Sequence, residues 1–212
     1  TLIRMRSEEG KVVSPEAFIP AAKRMGWLTR IDQWVVREAI ELAHRRGETG
    51  LQGYLSINLS AKSVGDPVFV DWMLPVLDSY KLGHNLLRFE ITETEQLEAS
   101  PTAFRLITAL RERGFKVWLD DFGVGYNSFD LLKRLSVDGL KIDISFTRDL
   151  LHDPVDRVMV EAIVSIGKAM KLELLAEGVE NEQTFRELSA MGVHLFQGHL
   201  FHQAEPASTL GR

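Results

Sequence analysis

The sequence predicts an α/β fold, and within that class a (β/α) barrel rather than an open sheet. Three observations carry this expectation. Strand-like and helical runs alternate about seven times, the pattern of a parallel sheet layered with helices. The stretch Phe115–Asp143 packs the pattern into one strand–loop–helix–strand unit. Polar residues stand at the ends of successive apolar runs, the end at which parallel α/β folds carry their chemistry.

Taken in order, Thr1–Met5 reads as an apolar strand interrupted by Arg4 and closed by the turn Ser7–Gly10. Pro15 suits the first turn of a helix, and Glu16–Met25 has helical spacing. Ile31–Arg46 is a strong helix, with Ile31, Trp34, Val35, Ala39, Leu42 and Ala43 on one face. Tyr54–Asn58 is a short strand followed by the loop Leu59–Ser63. Phe69–Tyr80 is helical, with Pro75 as a candidate kink. Leu86–Ile91 is a strand carrying Glu90, and Thr92–Glu95 follows it. Thr102–Arg113 is a helix closed by Gly114.

The central unit comes next. Phe115–Leu119 is a strand that stops at Asp120 and Asp121, and Phe122–Asn127 is its glycine-bearing loop. Ser128–Leu135 is helical, and Gly139–Ile142 is a strand carrying Lys141 beside Asp143. The helix Asp156–Met170, the strand Leu172–Ala176 ending at Glu177, the helix Glu182–Met191 and the strand His194–Phe196 ending at Gln197–Gly198 complete the chain. A full barrel of this kind typically takes about 250 residues, so 212 residues predict a barrel short of roughly one element at an end.

The composition, 45% hydrophobic and 26% charged, suits one globular domain with a sizeable core. A net charge of −5 argues against polymeric nucleic acid or anionic membrane as a partner. It leaves room for a small anionic ligand whose charge is met by metal ions. With no cysteine there is no disulfide, thiolate metal site or thiol nucleophile, which fits a reducing compartment. No apolar run reaches membrane-spanning length. The chain opens at Thr1, inside a strand-like run, and reads as a domain excised from a longer protein.

Asn58, Glu90, Asp120, Asp121, Lys141, Glu177 and Gln197 all stand at or near strand ends, and they converge on one mouth if the barrel closes. Clustered carboxylates repel one another, and burial raises their pKa values. Bound dications would relieve both. Oxygen donors without cysteine or a histidine pair favour Mg²⁺ or Mn²⁺ over Zn²⁺. Two such ions about 3.5–4 Å apart are the usual clamp for in-line displacement at phosphorus.

Each residue also has a plainer reading. Asp120 and Asp121 can be turn or capping acids. Glu90 and Lys141 can be an interior ion pair. Asn58, Gly123 and Gly125 can be turn residues, and His194 structural. The coincidence across strands, rather than any single residue, favours a functional site.

At this point the residues resemble the EAL domain family of cyclic-di-GMP phosphodiesterases. FIPAAKRMG at Phe18–Gly26, SINLSAKS at Ser56–Ser63, FEITET at Phe89–Thr94, WLDDFGVGYNSF, LKID, LLAEGVEN and FQGHLF stand in the family's order. The resemblance implies a single EAL-type (β/α)8 TIM-type barrel over residues 1–212, truncated at its ends, in which one strand runs antiparallel. It implies hydrolysis of cyclic di-GMP to linear pGpG with two Mg²⁺ or Mn²⁺ ions, and inhibition by Ca²⁺. Asn58, Glu90, Asp120, Asp121 and Glu177 would be metal ligands. Lys141 would lie beside the attacking water, with Glu177 and Gln197 also at the chemistry. Arg4, Gln197 and Gly198 would meet the substrate.

Glu93 would brace the loop Phe122–Ser128, which contains Gly123 and Gly125 and in the family links the site to a dimer interface. Asp143 and Glu180 would support the ligands from behind. A homodimer, a cytoplasmic location, and sensor, GGDEF or PAS domains in a parent anchored at a membrane complete the expectation.

This sequence departs from the family pattern in four places. The family's first glutamate would immediately precede Thr1. Val124 and Asn127 stand where the family has Thr and Ser. His199 replaces Tyr, and Lys23 replaces Glu. The missing glutamate keeps open a non-catalytic cyclic-di-GMP receptor or dimerisation module. A third reading, proton abstraction beside a carboxylate by an enolase-like site, fits the adjacent Asp120–Asp121 pair less well.

Overall fold

The computed structural model describes residues 1–48, 53–92, 100–124 and 129–209. Its organising feature is a six-stranded parallel sheet, β3 (Leu55–Leu59), β4 (Leu87–Thr92), β5 (Lys116–Phe122), β6 (Gly139–Ile142), β7 (Glu173–Ala176) and β8 (Leu195–Phe196), paired in chain order. Successive side chains of a strand point to opposite faces. Leu55, Ile57 and Leu59 therefore share one face with Leu87, Phe89 and Ile91, and all six are buried. Val117, Leu119, Leu140 and Ile142 continue that apolar layer toward β6. Asn58, Glu90, Asp120 and Lys141 belong to the other, concave face. Below them the Trp118 indole fills the space that a side chain at Gly139 would need. The Arg88 guanidinium lies 3.5 Å from the Tyr54 ring centre and 5.1 Å from that of Trp118, closing the floor.

Helices cover the apolar face: α1 (Pro15–Arg24), α2 (Leu28–Glu48), α3 (Ala61–Val64), α4 (Pro67–Tyr80), α5 (Pro101–Glu112), α6 (Phe129–Arg134), α7 (Ile144–Arg148), α8 (Pro154–Met170) and α9 (Glu182–Met191). Their ends follow from local chemistry. Proline stands in the first turn of α1, α4, α5 and α8. Asp66, Ser100, Asp143, Asp153 and Asn181 each cap a helix by accepting a backbone N–H. Gly192, in the left-handed region, ends α9. No described helix is long and apolar enough to cross a membrane.

The strand–helix alternation and the TIM-type α/β class stand as the sequence predicts, and β6 and α9 match to the residue. The opening differs. Instead of a strand over Thr1–Met5, β1 (Met5–Arg6) pairs antiparallel with β2 (Val12–Val13) around the turn Ser7–Gly10. Only Val13 of these four is even partly buried, which identifies a surface hairpin rather than a barrel stave. The six sheet strands all run parallel; among the described residues the antiparallel pairing is this hairpin. The Thr1 amino group donates to the Ser56 carbonyl, so the first residue lies against the outer edge of β3. The short helix α3 overlaps the expected loop Leu59–Ser63, α7 falls in a stretch to which no element was assigned, and the helix through Pro75 is continuous.

Candidate metal centre and active site

The site is built on an irregularity in β5. Leu119 pairs with Leu140 and Phe122 with Ile142, so Asp120 and Asp121 together oppose the single residue Lys141. This is a β-bulge, and its second residue, Asp121, has φ +55°. Aspartate tolerates that left-handed backbone better than most residues because its short side chain bonds locally. In an unbroken strand two adjacent acids would face opposite ways. The bulge gives both a place at the mouth.

Lys141 is the hub. Its side chain is 3% exposed, and Nζ lies 2.9 Å from Glu90 Oε2, 2.8 Å from Asp120 Oδ1 and 2.6 Å from Glu177 Oε1. Four strands, β4 to β7, thus send charge to one point. Burial works against the ammonium, but Glu90, Glu177 and Asp120 together hold the Lys141 pKa well above the ordinary lysine range. Burial pushes the Glu177 carboxyl up, with Lys141 opposing it and Asp120 and Glu90 adding to it. Asp121 is pushed up by burial, then by the charges of Asp120 and Asp143. Even with the Thr1 amino group nearby, Lys141 against four carboxylates leaves the mouth short of positive charge. A ligand oxygen from each of Asp120, Asp121 and Glu177 lies within 4.8 Å of the others, so these residues could hold a metal ion. The hard-oxygen donors and the charge deficit fit such an ion.

The other expected site residues fall into three groups. Asn58 is at the end of β3, in register with Glu90, and its side-chain amide reaches the Thr1 carbonyl at 3.5 Å. The Thr1 amino group is influenced by Glu90, Lys141 and Asp120, which places Thr1 beside the acidic cluster. Asp143 sits near Asp121, raising its carboxyl pKa by its charge, and caps α7. Gln197 follows β8 directly; its backbone N–H donates to the Ala176 carbonyl and its carbonyl accepts from Val179, which ties it to the Glu177 loop. Gly198 is pressed so closely on the Val179 backbone that a Cβ would overlap it.

Four residues lie farther out. Glu180 is exposed, 4.0 Å from His199. Phe122 is buried, with Gly123 beside it. Arg4 is exposed; it donates to the Ile3 carbonyl and lines a cleft with Trp34, Glu38 and Leu42 on α2. Glu93 and Gly125 lie outside the described residues, as do Asn127 and most of the loop Phe122–Ser128.

Sequence reasoning missed Asp32. It is 8% exposed on α2, and its Oδ2 accepts the backbone N–H of Ser60 at 3.0 Å and the Ser60 hydroxyl at 2.5 Å. Burial raises its pKa, against these hydrogen bonds. Asp32 thereby anchors the loop that follows Asn58. The available signal was an acid interrupting the apolar stripe between Ile31 and Trp34.

A TIM-type sheet whose strand ends assemble a carboxylate cluster around a buried lysine defines a class of metal-dependent α/β domains. Residues 1–204 match the EAL domain, and the chain belongs to that family. Cyclic di-GMP phosphodiesterase PdeR of Escherichia coli (strain K12) is 30% identical over 211 residues, covering 100% of this chain and 32% of that protein. The bifunctional diguanylate cyclase/cyclic di-GMP phosphodiesterase MucR of Pseudomonas aeruginosa is 32% identical, covering 99% of this chain and 31% of that protein. A solved PaMucR phosphodiesterase in complex with c-di-GMP superimposes with a TM-score of 0.91 at 32% identity, covering 99% of this chain and 85% of that one. The chain thus spans about a third of the length of the curated relatives it matches.

Proposed function

We propose that this domain is a metal-dependent phosphodiesterase that hydrolyses cyclic di-GMP to linear pGpG. The observation that carries the reading is the β5 bulge. It sets Asp120 and Asp121 together opposite Lys141, with Glu177 within reach of both acids. Asn58, Glu90, Asp120, Asp121 and Glu177 would hold two Mg²⁺ or Mn²⁺ ions. When bound, such ions polarise a phosphoryl oxygen and make a coordinated water more acidic.

The protein's own groups do the rest. Glu90 is fixed by the pairing of β4 with β3 and β5, and so presents its carboxylate at a constant depth. Lys141, held by three carboxylates, orients the attacking water and offsets charge that builds at the phosphate. Gln197, tied by its backbone to β7, aligns the water or the ligand from the opposite edge. Gly198, packed against the Val179 backbone, would meet the substrate beside Gln197. Arg4 is the phosphate contact, and its exposed side chain would swing from the Ile3 carbonyl to reach it.

The loop containing Glu93 and Gly125 would connect the site to a homodimer interface. In the parent protein the domain would work in the cytoplasm beside sensor, GGDEF or PAS domains.

The test uses two proteins: the 212-residue chain, and the same chain with a glutamate placed before Thr1. The Thr1 amino group lies at the acidic cluster. The added carboxylate is therefore expected to strengthen metal binding and raise turnover. Both proteins are assayed for conversion of cyclic di-GMP with Mn²⁺, Mg²⁺, Ca²⁺ and EDTA, and binding is measured separately by calorimetry. Ca²⁺ should inhibit because its coordination is longer and looser. Turnover that survives exhaustive chelation refutes the metal-dependent reading. Binding without turnover in both proteins favours a non-catalytic receptor.

A further inference from the structure

The five-residue helix α7 lies against the segments that follow Asp121 and Glu177. Its cap, Asp143, accepts the Ser145 N–H and lies close enough to Asp121 for its charge to raise that carboxyl. Thr147, fully buried, donates its hydroxyl to the Glu177 carbonyl at 2.5 Å, and the Ile144 carbonyl at 3.3 Å is a far weaker alternative. Two glycines with positive φ make room for the same helix. Gly178, at +62°, follows Glu177, and any Cβ there would overlap the Ile144 side chain. Gly123, at +110°, follows Phe122, and a Cβ there would stand 2.5 Å from Phe146 Cε2. One helical turn is therefore seated in two glycine notches, one beside each metal-binding loop.

We propose that Thr147 and Phe146 are positioning residues that set the separation of Asp121 from Glu177, and through it the fit of the dication between them. The proposal rests on the metal-dependent reading of the site. Phe146 fixes the height of the Asp121 loop through Gly123. Thr147 fixes the Glu177 loop through a main-chain carbonyl, so the carboxylate itself stays free to bind metal. Neither residue touches the substrate or the ion. Their effect is that of the outer partners of metal ligands, whose loss typically costs about 10–100-fold in metal affinity.

The experiment is a direct Mn²⁺ titration of the intact chain, followed by the paramagnetic signal of free Mn²⁺, together with hydrogen exchange at the amides of Glu177 and Val179. Both amides are hydrogen-bonded, to Ile142 and Gln197. Thr147→Val is expected to lower Mn²⁺ affinity about 10–100-fold and to speed exchange at these amides. Thr147→Ser, which keeps the hydroxyl, is expected to restore both. Phe146→Leu is expected to weaken Mn²⁺ binding as Thr147→Val does.

The control is Thr184→Val on α9, another buried threonine, whose hydroxyl has no partner; it should change neither reading. Normal Mn²⁺ affinity and normal exchange in Thr147→Val overturn the positioning role while leaving the metal site intact. If the unaltered chain binds no Mn²⁺, the metal reading falls, and faster exchange in Thr147→Val alone still upholds the hold of Thr147 on the Glu177 loop.

Discussion

Replacing Lys141 with methionine keeps the length of the side chain and removes its charge. Three carboxylates at 2.9, 2.8 and 2.6 Å then lose their shared donor in a setting where only 3% of the lysine side chain met solvent. At an effective dielectric of about 20, each contact is a gross attraction of about 6 kcal/mol. Desolvation of the ions offsets most of that. Removing one partner of a buried pair typically costs about 3–5 kcal/mol. For a chain of this size each kcal/mol moves the melting temperature by about 2–4 °C, so Lys141→Met should melt about 6–20 °C lower in EDTA at pH 7.

Two further readings isolate the cause of that loss. Burial already raises the Glu177 carboxyl against the pull of Lys141, so without the ammonium its folded-state pKa rises further above the unfolded value. The folded state then holds more protons, so the stability this contributes is lost as pH rises and regained as pH falls toward 4. The melting deficit should therefore shrink at pH 5. Mn²⁺ should shrink it too, by supplying the missing positive charge. Circular dichroism melts of both proteins, with chelator and with Mn²⁺, measure all of this. A deficit under about 2 °C in EDTA, or one indifferent to both pH and Mn²⁺, refutes the view of Lys141 as the counter-charge of the site.

Asp121→Asn keeps a residue that tolerates the left-handed backbone and removes a carboxylate whose pKa is raised by burial and by Asp120 and Asp143. A raised carboxyl contributes stability below its unfolded pKa and loses it as pH rises through the folded value. The variant should thus melt above the wild type in chelator at pH 7, by a margin that closes near pH 4, and should gain less from Mn²⁺. Gly139→Ala puts a Cβ 2.7 Å from the Trp118 indole and 2.9 Å from the Glu173 carbonyl. Such overpacking costs about 1–3 kcal/mol, read as a lower denaturation midpoint together with a changed near-ultraviolet tryptophan signal.

The parts legible in the sequence were those with strong periodicity or a single reading. Gly139–Ile142 and Glu182–Met191 stand as read because each has a signal at both ends, Gly139 and Asp143 for the strand and Asn181 and Gly192 for the helix. The convergence of Glu90, Asp120, Lys141 and Glu177 followed from alternation, since each stands at or near the carboxyl end of a parallel strand. What the sequence hid depended on pairing. Thr1–Met5 is apolar enough for a strand, but its pairing is settled by Val12–Val13, and a two-residue hairpin has no period to detect. Helix α7 spans five residues, too few to show a helical repeat, so its hold on Glu177 was invisible. Arg4 has the right place in the motif, but its side chain rests on Ile3 and the α2 cleft, a choice made by local contacts. Asp120 and Asp121 were read as a pair, yet the bulge that seats them exists only relative to β6.

That bulge amounts to one extra codon. Leu119 and Phe122 keep their partners Leu140 and Ile142 on either side of it. A chain one residue shorter here would pair without interruption and carry a single acid at the mouth. The apolar layer would be untouched, because the surplus residue faces away from it. Gain or loss of three nucleotides could therefore separate a catalytic lineage from a purely ligand-sensing one with little burden on folding. Descendants that had shed the chemistry would betray themselves by length at this position before they did so by composition.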